Sequence, residues 1–222
     1  FSPDSMRIRG IAYAISDKFK THKFCIITDG SKESMKDVNM YKSVLKGLSS
    51  KRKITVHTFI NGKYSPELPK KDSLILVQSF PSQQTKISLS KFVESRKESF
   101  VIGHFNWYEK LTLSPEIKET HILYPCINFY DQNDSAVQDF IDEFVSSNYA
   151  EPSRYAFQGY DQMKFLGYTL MSLGNNPFPL LPSSNFVGLI NTIRPYRLGK
   201  RYFNIGIRLV QIQSQSHILF NQ

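Results

Sequence analysis

Few side chains in this 222-residue sequence stand in a spacing that chemistry requires. Gly159, Tyr160 and Asp161 put a small residue, an aromatic ring and a carboxylate side by side in the stretch EPSRYAFQGYDQMKFLGYTLMSLG, Glu151 to Gly174. On spacing alone this is a close-packed helix with one solvated or capping Asp. Thr28-Asp29-Gly30-Ser31 puts an Asp at the expected end of a strand, followed by a Gly, which is a common turn. A phosphate-transfer aspartate of the DxD kind would need a second Asp where Ser31 stands. His22, His57, His104, His121 and His217 show no metal spacing, and no HExxH, P-loop or GxSxG sequence occurs. Cys25 and Cys126 each lie in an apolar, β-prone run, FCIIT and LYPCINF, and read as small buried hydrophobes, with a single disulfide left open. No metal and no cofactor are expected.

The net charge of +9 permits an anionic partner. The basic residues are scattered, however. The densest groups, Lys51-Arg52-Lys53 and Lys70-Lys71, fall at expected turns and carry no interleaved aromatics for base stacking. This weighs against nucleic acid. No apolar run is long enough to span a bilayer. FSPDSMRIRG at the start lacks the apolar centre of a signal peptide, and the first residue is Phe rather than Met, so an upstream piece is expected.

The elements that must position these groups alternate at short intervals. Ile8, Ile11, Ala12, Ile15 and Phe19 recur at helical spacing over 4–20. KFCIITDG, 23–30, reads as a buried strand. Helix 32–48 follows, with Met35, Val38, Tyr41, Leu45 and Leu48 on one face. Strands are predicted at 54–60 (alternating, near an edge), 73–80, 100–107 and 121–131, with a helix at 83–96 and a helical turn near Pro115. Residues 133–147 form an amphipathic helix, with Val137, Phe140, Ile141, Phe144 and Val145 on one side. The helix within 151–174 has a Pro before it and a Gly at its end, and its apolar residues lie on more than one side, so it should be largely buried. After Pro182 the pattern turns to strands without helices, with a hairpin turn at Ser214 to Ser216.

This alternation predicts an α/β fold: a doubly wound Rossmann-like parallel sheet with right-handed crossovers. Such sheets bind ligands beyond the carboxyl ends of their strands. That nominates Thr28–Ser31, Ser79–Ser82, Phe105–Tyr108 and Tyr130–Asp134.

VIGHFNW, INFYDQND, EPSRYAFQGYD and FNIGIRLVQ, in that order, resemble the C-terminal half of type I periplasmic-binding-protein-like domains. The likeness is nearest to the Bacteroidetes-type branch of amino-acid-transporter substrate-binding and LysM-containing peptidoglycan-binding proteins. It covers essentially the whole chain, and its most specific piece is Pro152 to Asp161. The resemblance implies two lobes joined by three crossovers, with ligand bound between them. It places a Rossmann-like lobe at 4–125, a crossover and the helices of an incomplete second lobe at 126–182, and a strand pair returning to the first lobe at 183–222. A missing N-terminal lobe or another protein chain would then complete the cleft, and apolar surface near Gly159 to Tyr168 would be exposed without it.

By the same resemblance the ligand-facing residues are Ser79, Phe80, Phe105, Asn106, Trp107, Asp131, Tyr160 and Asp161. Hydroxyl and backbone donors at strand ends would hold a carboxylate, an Asp an ammonium, and aromatics the apolar part of an amino acid or cell-wall fragment. Each residue also has a plainer role. Phe105 and Trp107 can be core, Ser79 and Ser82 can cap a helix, Asp131 and Asp134 can cap the next one, and Tyr160 and Asp161 can pin a crossover strand. The implied protein is a non-enzymatic ligand-binding domain of the periplasm or cell envelope. A structural or peptidoglycan-associated scaffold without a small ligand is the alternative. An α/β hydrolytic enzyme centred on Asp29 and a nucleic-acid-binding protein stand behind both.

Overall fold

The computed structural model describes residues 4–20, 22–49, 51, 53–58, 73–77, 99–103, 122–174, 180–181, 184–213 and 216–220. The expected helix at 83–96, the turn near Pro115, and Ser79, Phe80, Phe105, Asn106 and Trp107 lie outside the described residues. The chain forms two compact units: Ile8–Pro125 with Leu209–Gln222, and Phe1–Arg7 with Cys126–Arg208. The chain therefore leaves the first unit at Pro125. It returns at Leu209, where a return at 183 is the sequence expectation, so residues 184–208 belong with the helices.

The first unit is built on a seven-stranded sheet. Helix α1 (Asp4–Lys18) leads into β1 (Lys23–Thr28), then α2 (Lys32–Leu48), β2 (Ile54–Thr58), β3 (Ser73–Val77), β4 (Phe100–Ile102) and β5 (Ile122–Cys126). The sheet order is β11 (Ser216–Leu219), β10 (Arg208–Gln213), β5, β4, β3, β1, β2. β1 pairs parallel with both β2 and β3, with Ile26 opposite Val56 on one side and Leu76 on the other. β3–β4 and β4–β5 are parallel as well. The continuous apolar run FCIIT follows from this position: every residue from Phe24 to Thr28 is buried, as a parallel strand covered on both faces requires. β2 ends the sheet order, matching its edge-like alternation.

The α1 stripe Ile8, Ile11, Ala12 and Ile15 is buried, and so is Phe19 beyond its end. Phe19 stacks on Phe220 at 5.6 Å, and Phe100 packs tilted against both. Phe220 gets there through a return strand: β10 (Arg208–Gln213) pairs antiparallel with β11 (Ser216–Leu219), Gln213 facing Ser216. Strand 121–131 is shorter than expected and stops at Cys126, because the chain next bridges Asn128 to Asn191 and turns at Asp131.

The second unit holds α3 (Ser135–Asn148), α4 (Arg154–Leu173) and two antiparallel pairs. These are β6 (Phe186–Val187) with β7 (Thr192–Ile193) and β8 (Pro195–Leu198) with β9 (Arg201–Asn204). Its core is Val137, Phe157 and Ile190, with Phe140, Ile141 and Leu189 against them. Here the sequence misleads. Helix α4 is not largely buried: only Phe157, Asp161 and Thr169 are. Tyr155, Met163, Leu166, Tyr168, Leu170 and Met171 are exposed, Met171 at 89%. The helix was given apolar residues all round, but among the described residues its unit supplies only α3 and short hairpins to cover one side.

Candidate functional site

Of the residues singled out in the sequence, Asp161 engages one segment, Gly188 to Arg194, between and after β6 and β7. Asp161 reaches it from α4, whose start is fixed by Ser153 accepting from the Ala156 amide. Asp161 is 0% exposed. Its Oδ1 accepts from the Leu189 amide at 2.6 Å. Its Oδ2 accepts from the Ile190 amide at 3.0 Å, the Asn191 amide at 2.9 Å and the Asn191 side-chain amide at 3.2 Å. An ionised carboxylate offers about four lone-pair sites, so this one is filled from within the chain.

Gly188 makes the approach possible. A Cβ there would stand 2.2 Å from Asp161 Oδ1, closer than any real contact. Arg208 closes the segment from the other side. Its Nη1 donates to the Phe129 carbonyl at 2.7 Å and the Leu189 carbonyl at 2.8 Å, and its Nη2 to the carbonyls of Gly188 and of Asn191, the latter at 3.1 Å. Burial pulls the Arg208 guanidinium below its ordinary value, while the charges of Asp161 and Asp134 hold it up.

The ending FNIGIR works on the next three residues. Asn204 Oδ1 accepts from the amides of Arg194 (2.9 Å) and Gly206 (2.8 Å), and its Nδ2 donates to the Thr192 carbonyl at 3.1 Å. A Cβ on Gly206 would stand 1.9 Å from the Thr192 carbonyl oxygen. Asp161 of EPSRYAFQGYD and Asn204 and Arg208 of FNIGIRLVQ thus hold backbone 188–194 in place.

Asp131 and Tyr160 lie in the same unit and keep more freedom. Asp131 is half-buried, and its Oδ1 accepts from the amide and side chain of Asn133, forming the turn ahead of α3. The cap of α3 is Asp134, accepting from the Ala136 amide. Tyr160 is half-buried, with its ring 4.7 Å from Phe140 and Lys164 Nζ 5.2 Å from its face. Tyr130 stacks on Phe157 at 5.0 Å, and Phe157 packs on Phe140, so Tyr130 and Tyr160 sit at the ends of one aromatic row.

Arg208 and Asn204 escaped notice as individual residues. The available signal for Arg208 was a charge inside the apolar run Ile207 to Ile212, a position that demands partners. Cys126, also near Arg208, donates its thiol to the Asn128 carbonyl at 3.3 Å. Burial pushes this thiol up from its ordinary value of 9.0, and the positive charge of Arg208 offsets part of that. Neither Cys25 nor Cys126 is in a disulfide.

In the sheet unit, the β1–α2 turn is a closed structure. Thr28 Oγ1 and Ser34 Oγ share a hydrogen bond at 2.6 Å, and Asp29 Oδ1 accepts from the Ser31 amide. Gly30 takes φ +76°, where L side chains are strained. Asp29 therefore makes a turn, the plain reading of TDGS. Among the described residues no group of three or more His, Cys, Asp or Glu could hold a metal, and no helix is long and apolar enough to cross a membrane.

This sheet, parallel in the order 2-1-3-4-5 and extended by two further strands, gives an α/β fold that solved structures share. The chain superposes over 98% of its length on an ABC transporter substrate-binding protein from Desulfitobacterium hafniense in complex with Leu, at TM-score 0.51 and 16% identity. A putative branched-chain amino acid ABC transporter protein from Rhodospirillum rubrum fits at TM-score 0.52 and 11% identity over 99% of the chain. LpoA of Haemophilus influenzae fits at TM-score 0.54 and 10% identity over 98%. The chain spans 65%, 66% and 39% of these proteins' lengths. At such identities the likeness speaks for the fold. No family model and no curated protein sequence matches the chain.

Proposed function

We propose that these residues form part of a non-enzymatic solute-binding protein of the cell envelope, whose ligand is an amino acid or a related cell-wall fragment. The observation that carries this reading is the end-to-end fit of the chain to a substrate-binding protein that holds Leu. That protein is half as long again, and the exposed apolar side of α4 supports a second body of chain, an N-terminal lobe, packed there in the complete protein. The proposed ligand contacts are Asp131, Tyr160, Ser79, Phe80, Phe105, Asn106 and Trp107. Asp161 is assigned instead to the backbone: its four donors leave no acceptor for a ligand ammonium.

That last observation also favours a second reading, an envelope scaffold of the peptidoglycan-associated kind that needs no small ligand. Thermal denaturation separates the two. The natural polypeptide containing these residues is melted with L-leucine, a panel of other L-amino acids, and muropeptides. At a ligand concentration of about 100 Kd, binding adds about 2.7 kcal/mol and raises Tm by several degrees. Asp131→Asn keeps the turn and should shrink that rise without lowering the unliganded Tm. A folded protein whose Tm moves with none of these compounds favours the scaffold.

A further inference from the structure

Segment 188–191 belongs to no helix, and only its last residue makes a β-bridge, yet it is held from both sides by buried charge. On one side the Asp161 carboxylate takes the amide hydrogens of Leu189, Ile190 and Asn191. On the other the Arg208 guanidinium takes the carbonyl oxygens of Gly188, Leu189 and Asn191. The peptide units joining Gly188 to Leu189 and Leu189 to Ile190 therefore lie with their N–H ends toward the anion and their C=O ends toward the cation. Their dipoles are aligned between opposite charges, and each bond is charge-assisted. The same guanidinium holds the Phe129 carbonyl, one residue before Tyr130.

We propose that Asp161 and Arg208 form one electrostatic latch acting through the backbone of Gly188 to Asn191, so that the segment leading to Tyr130 and Asp131 and the segment leading into β10 are fixed as a unit. The latch stands on the fold and does not depend on the identity of any ligand. Each charge compensates the other at a distance, with the intervening peptides carrying the coupling. Removing either leaves the other buried and unpaired, which costs more than removing both.

The test is a double-mutant cycle in the natural polypeptide. Asp161→Asn and Arg208→Met singly should each lower Tm by about 5 °C or more. The double variant should melt no lower than the worse single. A double variant whose loss equals the sum of the two singles overturns the latch. Should a single variant not fold, amide hydrogen exchange of the unmodified protein decides. The amides of Leu189, Ile190 and Asn191 should be protected as strongly as those of β1, although this is a loop. Exchange at the rate of an exposed loop overturns the proposal.

Discussion

At the scale of single residues, Asp161 shows how one carboxylate can organise a stretch of backbone. Four N–H donors surround it, and the positively charged Arg208 is itself tied to carbonyls of the same loop. Asp161→Asn should cost about 3–5 kcal/mol, because one oxygen becomes a donor facing donors and Arg208 loses its compensation. Urea unfolding of variant and parent gives that difference directly, and a value under about 1 kcal/mol would contradict the bonding described. Gly188→Ala should cost about 1–3 kcal/mol by forcing the carboxylate aside. Cys126 supplies a pH dependence. Its thiol is raised by burial, so the fold favours the neutral form. That contribution is fully present below the ordinary value of 9.0 and is lost as pH rises through the higher folded value. Iodoacetamide should therefore alkylate native Cys126 with a midpoint above 9.0, while Cys25, fully buried in β1, stays unmodified. A midpoint at or below that value would mean the thiol is more open than its surroundings indicate.

At the scale of elements, α4 is the informative one. Its buried side carries Phe157, Asp161 and Thr169; its other sides carry exposed Met163, Leu166, Leu170 and Met171. An apolar face of this size on a folded unit marks a place where something packs. In the 222-residue chain by itself, Leu166→Lys with Met163→Lys should leave Tm within about 2 °C, since neither side chain is buried there, and should reduce concentration-dependent self-association seen by light scattering. A large loss of Tm would mean that these residues are covered in solution. The pattern of this helix also explains why its burial is not legible in the sequence. Apolar residues on several sides of a helix announce that it will be surrounded, and only the fold tells by which part of the chain. The sheet was more legible. FCIIT and SLILV are continuous apolar strands, which only a covered parallel sheet accommodates, and β1 and β3 pair in parallel accordingly. The latch was legible only in part. GYD and NIG stood out as motifs, but their meaning depends on contacts 28 to 30 residues away, between Asp161 and 189–191, and periodicity carries no such information.

At the scale of the whole molecule, the chain is a sheet unit and a helical unit with an α/β fold, spanning 65% of the length of the Leu-bound protein it fits. Asp161, Asn204, Gly206 and Arg208 maintain the frame, so they report the fold and say little about a ligand. In the proposed solute-binding role, selectivity would rest on side chains outside that frame, of which Asp131 and Tyr160 are the described candidates. The charge of +9 adds only that anionic ligands or surfaces are not repelled.

The most direct measurement of the central claim is a native mass spectrum of the natural polypeptide containing these residues, recorded alone and with an equimolar mixture of L-amino acids. One added mass is expected, equal to a single amino acid or cell-wall fragment, that is retained when the protein is folded and lost on denaturation. A folded polypeptide that shows no added mass with these amino acids, or with muropeptides in their place, would contradict a solute-binding role and leave the scaffold as the function of this fold.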